Sequence, residues 1–317
     1  MNNESLTKNQ KLFGTDGIRG IDGEFPLNRE FIKKIALCAS VVLKKHFSTN
    51  KIFIGWDTRE SGRWISTLLL KTFQSVGYEV YSLGIFPTPG VAFLCKKHSA
   101  IGVVISASHN PYEFNGIKFF NNYGIKLEDE YEKEIEQVIL FHPQIKVADK
   151  KFNIINFYQQ AEKEYIEFLN QIFIDCDTKI KKKMSKLSFI IDCANGSTYR
   201  VAQKVFKSLF PKTKFINTNP DGKNINKNCG SLHPETVSKY IKNNIGISFD
   251  GDGDRVMFVD EKKAVRDGDY MLGILAAEYK KEKKLKNEKQ KVKNFFDKFI
   301  MSFNFYFNYI WWTKWSL

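Results

Sequence analysis

Ser106-Ala107-Ser108-His109-Asn110-Pro111 follows directly on the apolar run at residues 102–105. In parallel α/β sheets ligands bind beyond the strand ends, so a serine on this loop is placed for chemistry. Asn110-Pro111 enforces a turn, and His109 stands beside Ser108 as a proton or phosphate partner. That combination makes Ser108 a candidate covalent nucleophile. The bland reading of the same hexapeptide is a solvated loop whose serines cap the next element. Downstream, Asn115-Gly116-Ile117-Lys118 reads as a turn followed by a cation suited to act as acid, base or phosphate clamp.

Asp250-Gly251-Asp252-Gly253-Asp254-Arg255 is the second chemical feature. Three carboxylates at alternate positions, separated by glycines that let the backbone curl, turn their oxygens onto one hard cation. A calcium loop of the EF-hand kind also places acids at its first, third, fifth and twelfth positions, and Glu261 stands at the twelfth. Its sixth position, however, requires glycine where this chain has Arg255, and residues 257–259 read as strand. Mg2+ fits better, because it takes few protein carboxylates and leaves positions for phosphate oxygens. Arginines in glycine-rich loops are the third signal: Arg19 in residues 13–20, Arg59 in residues 57–62, and Arg255. A planar guanidinium matches phosphate oxygens, which makes these three candidate phosphate-binding residues. Taken singly, Arg59 also reads as a surface charge.

Such loops need strand ends to hold them. Apolar runs at 51–55, 79–83 and 102–106 alternate with helical patterns at 64–76 and 92–97, which implies a largely parallel sheet. An amphipathic helix is expected at 128–140, and the polar stretch 142–153 reads as a linker. A second unit begins with helices near Phe157, continues through a buried strand at 187–192, and closes with paired strands at 245–249 and 256–259. Another helix is expected at 267–286. The fold class is therefore α/β: two tandem α/β domains with mixed, mostly parallel sheets and the start of a third. They are expected at residues 1–150 with the Ser108 loop, 151–260 with the Asp250 loop, and 261–317, a helix followed by an aromatic tail.

With 317 residues and 43% hydrophobic content, the chain has material for more than one core. A formal net charge of +14 points to anionic partners: nucleic acid, a membrane surface or phosphorylated metabolites. Only seven of the 49 basic residues are arginine, and residues 280–317 hold ten lysines against Glu282, Glu288 and Asp297, so half the excess sits at the end of the chain. Clustered arginine with stacking aromatics, the mark of a nucleic-acid surface, is absent outside that tail. Five cysteines without metal-ligand spacing suit a reducing compartment, and residues 1–11 lack the apolar core of a signal peptide, so a cytoplasmic protein is expected. After Asn287 the character changes, and Trp311, Trp312 and Trp315 crowd the end. Residues 295–312 are about long enough to span a membrane, but Asp297, Lys298, Asn304 and Asn308 interrupt them, and such groups are costly in hydrocarbon. A tail foreign to the rest of the chain is the other reading.

These residues, in this order, resemble the α-D-phosphohexomutases, and within them the bacterial phosphoglucosamine mutase branch. The likeness is carried by residues 13–20, 57–62, 105–111 with 115–120, 192–196, 229–235 and 249–255, and covers about residues 11–285. Ser106, where glucose and mannose mutases often carry threonine, and the stretch 224–235 favour the glucosamine branch, while Leu232 stands where threonine is usual. The resemblance implies that Ser108 carries a phosphoryl group, gives it to glucosamine 6-phosphate and recovers one from glucosamine 1,6-bisphosphate, releasing glucosamine 1-phosphate. It implies Mg2+ as cofactor, held by Asp250, Asp252, Asp254 and the Ser108 phosphate, with Arg19, His109, Lys118 and Arg255 around that phosphate. A glucose or mannose phosphate mutase is the alternative, and so is a chain without activity. Family members carry a sugar-selecting loop and a Ser/Thr-rich phosphate-gripping loop in later domains. Neither is found in this sequence, so weak substrate holding and slow turnover are expected. The implied partner is a small sugar phosphate, with no nucleic acid and no membrane. Nothing in the sequence sets an oligomeric state.

Overall fold

The computed structural model describes residues 11–141, 153–174 and 178–285. These divide into two compact units, one running to Ala161 with Pro220–Ile225 added, the other comprising Glu162–Asn219 and everything from Asn226 onward. In the first unit the apolar runs become strands β1 (Ile18–Ile21), β2 (Lys51–Trp56), β3 (Glu79–Ile85), β4 (Ile101–Ile105), β5 (Phe114–Phe120) and β6 (Ile154–Asn156). They form one sheet in the order β1-β5-β4-β2-β3-β6. The β4-β2-β3-β6 part is parallel, and β5 runs antiparallel to both β1 and β4. Helices α1 (Arg29–His46), α2 (Glu60–Ser75), α3 (Thr88–His98) and α4 (Asp129–Phe141) cover it.

Side-chain alternation along β4 explains why both faces are covered. Ile101, Val103 and Ile105 point to a core shared with Ile32 and Ile35 of α1, Leu69 and Phe73 of α2, and Ile135 and Ile139 of α4. Gly102, between them, backs onto Val91 and Cys95 of α3 on the other face. Each such Ile or Leu contributes about 1.5–3 kcal/mol over exposure, so the sheet centre is the firmest platform in the unit. α1 starts where Asn28 accepts the Phe31 N–H at 2.9 Å, a capping bond for an otherwise orphaned donor. The turn expected at residues 115–118 is instead the middle of β5. Ile117 and Phe119 are buried in the core and both edges of the strand find partners, so extended backbone wins.

α5 (Tyr158–Ile174) leads into the second unit, followed by α6 (Thr178–Met184), β7 (Phe189–Asp192), α7 (Val201–Leu209), β8 (Lys214–Ile216), α8 (Glu235–Ser238), β9 (Ile245–Phe249), β10 (Val256–Val259), β11 (Val265–Arg266) and α9 (Gly268–Leu285). The sheet order is β11-β10-β9-β7-β8. β7 is parallel to β8 and β9, whereas β10 is antiparallel to β9 and β11. Phe189 and Ile191 of β7 pack with Ala202 of α7, while Ile190 turns to Val237 of α8 and Ile241, so this sheet too is buried on two faces. The chain is thus built of tandem α/β units with mixed sheets, and the helix expected at 267–286 is α9.

Cys38, Cys95, Cys193 and Cys229 are buried free thiols, and burial pushes them up, Cys38 to about 11 and Cys229 to about 12, which keeps them unreactive. Among the described residues no helix is long and apolar enough to cross a membrane. The expected linker, apart from Asn153, and the aromatic tail with the anchor considered at 295–312 lie outside the described residues.

Candidate functional site

In the first unit, the candidate residues gather where β1, β2, β4 and β5 adjoin. Ser108 lies three residues past the end of β4 and is wholly buried, and its backbone is left-handed, with φ of 55°. Ser106 N–H donates to the Gly116 carbonyl at 3.0 Å and Asn110 N–H to the Ala107 carbonyl at 3.1 Å, so the loop starts off pinned to β5 and closes on itself. His109 Nδ1 is 3.4 Å from Ser108 Oγ. Lys118 sits inside β5 opposite Val104 of β4, with no side-chain exposure.

The segment before β1 is brought over β5 by two devices. Leu12 and Phe13 both donate their N–H groups to Glu136 Oε1 of α4 at 2.7 Å. Gly17, with φ of +85°, passes so close to β5 that a Cβ there would lie 2.4 Å from the Ile117 carbonyl oxygen. Only glycine permits that approach. It places Asp16 so that its Oδ2 meets both Lys118 Nζ, at 3.1 Å, and the Arg19 guanidinium. Arg19 and Lys118, two of the expected site residues, are therefore joined by one carboxylate. Asp16 was not among the candidates. Its only signal in the sequence is an acid three residues before Arg19 in a glycine-punctuated loop.

Arg59 is placed differently from expectation. Its side chain has no solvent exposure and pairs with Asp57, itself unexposed. Its Nη2 donates to the carbonyls of Ser108, at 3.3 Å, and Asn110, at 2.6 Å. The guanidinium faces the inside of the serine loop, where the sequence suggested a ligand-facing fork.

In the second unit, Asp250 to Arg255 connect β9 and β10 as a hairpin. Asp250 N–H donates to the Arg255 carbonyl at 3.3 Å, Arg255 N–H to Asp250 Oδ1 at 3.1 Å, and Gly253 N–H to the Asp250 carbonyl at 3.2 Å. This curl brings one oxygen each of Asp250, Asp252 and Asp254 within 4.8 Å of one another, with Asp250 and Asp252 buried. Three convergent hard oxygens in a partly dry setting fit a divalent cation of the Mg2+ or Ca2+ kind, and these three residues could hold one. Arg255 keeps 45% of its side chain exposed, with Nε 3.8 Å from Asp254.

The base of that hairpin is held by the turn after β7. Gly196 packs on Gly251 so tightly that a Cβ would meet the Gly251 oxygen at 2.4 Å, and Ser197 N–H donates to that oxygen at 2.8 Å. Asp192 accepts from Ala194 N–H at 2.8 Å and Gly230 N–H at 2.9 Å, and Ser231 N–H reaches the Phe249 carbonyl at 2.9 Å. Burial pushes the Asp192 carboxyl up, opposed by those two N–H groups and by Asn217. The Asp192-Cys193-Ala194-Asn195-Gly196 motif is thus a cradle for the acidic hairpin.

Residues 10–143 match the family model for phosphoglucomutase/phosphomannomutase α/β/α domain I, and residues 163–263 match domain II of the same family. The phosphoglucosamine mutase of Aliarcobacter butzleri is 39% identical over 293 residues, 88% of this chain and 63% of that protein. That of Clostridium kluyveri is 43% identical over 282 residues, 87% of this chain and 61% of that protein. A putative phosphomannomutase of known structure from Thermus thermophilus superposes with a TM-score of 0.71 at 19% identity, over 85% of this chain and 61% of its own. A Burkholderia thailandensis protein described as phosphoglucomutase/phosphomannomutase family gives 0.64 at 22% identity, over 80% and 56%. At such identities the two structures speak for the fold alone. The chain spans less than two thirds of the length of the curated relatives it matches.

Proposed function

The chain belongs to the phosphoglucomutase/phosphomannomutase family, and from that premise we propose that it acts as a phosphoglucosamine mutase, interconverting glucosamine 6-phosphate and glucosamine 1-phosphate through a phosphoserine. Identity of 39–43% to proteins named phosphoglucosamine mutase supports this sugar branch over glucose or mannose phosphates. The observation that carries the chemistry is Ser108, held in a left-handed turn at the end of a central strand with His109 Nδ1 3.4 Å from its hydroxyl.

In the proposed cycle the sugar O1 attacks the phosphorus on Ser108. The Oγ–P bond breaks, the O1–P bond forms, and the O1 proton ends on Ser108 Oγ with His109 as its carrier. Glucosamine 1,6-bisphosphate results. After the bisphosphate turns round, Ser108 Oγ takes the phosphoryl group from O6, the proton returns, and glucosamine 1-phosphate leaves. Lys118 and Arg19, gathered by Asp16, supply fixed positive charge for the phosphoryl oxygens, and Arg255 supplies an accessible guanidinium. Asp250, Asp252 and Asp254 would hold Mg2+, which when bound would supply charge neutralisation for a phosphoryl group.

The test is the intact mass of the purified chain, with and without Ser108→Ala, after incubation with glucosamine 1,6-bisphosphate. The proposal expects one phosphoryl group, about 80 daltons, on the wild type and none on the variant. A coupled assay for glucosamine 1-phosphate, run beside glucose and mannose 6-phosphates, tests the sugar branch. Loading without turnover would refute the mutase reading for this chain while leaving the phosphoserine; absence of loading would refute both.

A further inference from the structure

A left-handed backbone is unfavourable for any residue with a Cβ and persists only when its surroundings over-determine it. Ser108 is such a residue. What holds it comes from the loop after β2. Asp57 and Arg59 form an ion pair with no side-chain exposure, and Asp57 Oδ1 accepts the Arg59 N–H at 3.0 Å. Two arms reach from this pair to the serine loop. On one, Asp57 Oδ2 accepts the Ser106 hydroxyl at 2.5 Å, and Ser106 Oγ accepts the Ser108 N–H at 2.8 Å. On the other, Arg59 Nη2 donates to the Ser108 and Asn110 carbonyls. The peptide groups on both sides of Ser108 are thereby fixed, and the direction of its Cα–Cβ bond follows from them.

A buried ion pair is weak ground for stability, because desolvation offsets much of the attraction. This one aims Arg59 Nη2 at backbone carbonyls of the serine loop and Asp57 Oδ2 at the Ser106 hydroxyl. We infer that Asp57, Arg59 and Ser106 are positioning residues that hold the Ser108 hydroxyl in its attacking direction, acting through the loop backbone and not on the sugar phosphate. What the hydroxyl does rests on the phosphoserine reading above; the brace itself does not. A planar two-nitrogen fork is required on one arm and a hydroxyl that both donates and accepts on the other. Lysine in place of Arg59 offers one flexible point donor, and alanine in place of Ser106 removes the hydroxyl that accepts the Ser108 N–H at 2.8 Å.

The experiment compares the wild-type 317-residue chain with Ser106→Ala, Ser106→Thr and Arg59→Lys. Ser108 phosphate is followed by intact mass against time and glucosamine 1,6-bisphosphate concentration, and amide hydrogen exchange is followed on the peptide covering residues 106–111. Ser106→Ala and Arg59→Lys are expected to load at least tenfold more slowly at saturation, with the half-saturating concentration changed less than twofold and loop exchange at least tenfold faster. Ser106→Thr keeps the hydroxyl and is expected to restore both readouts to within threefold of wild type. Loading of Ser106→Ala at the wild-type rate, or slow loading with unchanged loop exchange, overturns the inference. Should Arg59→Lys fail to fold, the Ser106 pair decides alone. If the wild type never loads, the phosphoserine reading falls, and loop exchange by itself upholds or overturns the brace.

Discussion

Gly196→Ala tests whether the metal loop is held from behind. Gly196 has φ −96° and ψ −169°, extended backbone that alanine adopts freely, so the substitution brings no conformational strain of its own. The added Cβ would lie 2.4 Å from the Gly251 oxygen, 2.7 Å from its Cα and 2.8 Å from its carbonyl carbon, where ordinary contact begins at 3.4 Å. All three are backbone atoms, so no side chain can swing aside. Gly251 must retreat by about 1 Å, and it is the residue between Asp250 and Asp252. Overpacking of this kind costs roughly 1–3 kcal/mol of stability. For the cation the consequence is sharper, because Mg2+ demands near-octahedral oxygens at about 2.0–2.1 Å with tolerance near 0.2 Å. The expected result is a Mg2+ affinity lowered at least tenfold, about 1.4 kcal/mol. Calorimetric titration of the purified chain with Mg2+ reads it directly, and the gain in Tm on adding metal reads it by mass action. An unchanged Kd together with an unchanged metal-dependent gain in Tm would refute the reasoning, since Gly251 would then tolerate the displacement.

Gly273→Ala is the matching control: nothing lies within 4 Å of a Cβ at that helical position, so stability should rise by roughly 0.5–1 kcal/mol in a urea titration. Asp16→Asn removes a carboxylate partner of the wholly buried Lys118 and should cost about 3 kcal/mol in the same titration, a loss below about 0.5 kcal/mol showing that Lys118 does not depend on it. Burial pushes the Glu132 carboxyl up from the usual 4.5 to about 7, against the pull of Lys126 3.3 Å away. A raised acid favours the folded state while protonated, so its stabilising contribution is complete below pH 4.5 and is lost as the pH rises to about 7. Relative to Glu132→Gln, the wild type should therefore lose roughly 3 kcal/mol over that window, and parallel stability–pH curves for the two proteins would contradict the assignment.

The sequence by itself determined features whose causes are short-ranged. Strands β9 and β10 were legible to the residue, because an apolar run between turn signals needs no distant information. The convergence of Asp250, Asp252 and Asp254 was legible for the same reason, since alternation and two glycines act within a single hairpin. That Ser108 stands on a loop directly after a strand was readable as well. Tertiary structure alone decided which partners those residues meet. Lys118 looked like a cation after a turn, yet lies inside β5, because the hydrogen-bonding edges of β1 and β4 and the burial of Ile117 and Phe119 outweigh a local turn preference. Arg59 looked like a ligand-facing fork, yet turns inward, because β2 and β4 are neighbours in the sheet and their ends set Asp57 beneath the serine loop. Asp16, Gly17 and Asp192 act through approaches between segments far apart in the chain. Side-chain period and turn chemistry are encoded within a few residues, whereas burial and ion pairing depend on which strands the sheet places side by side.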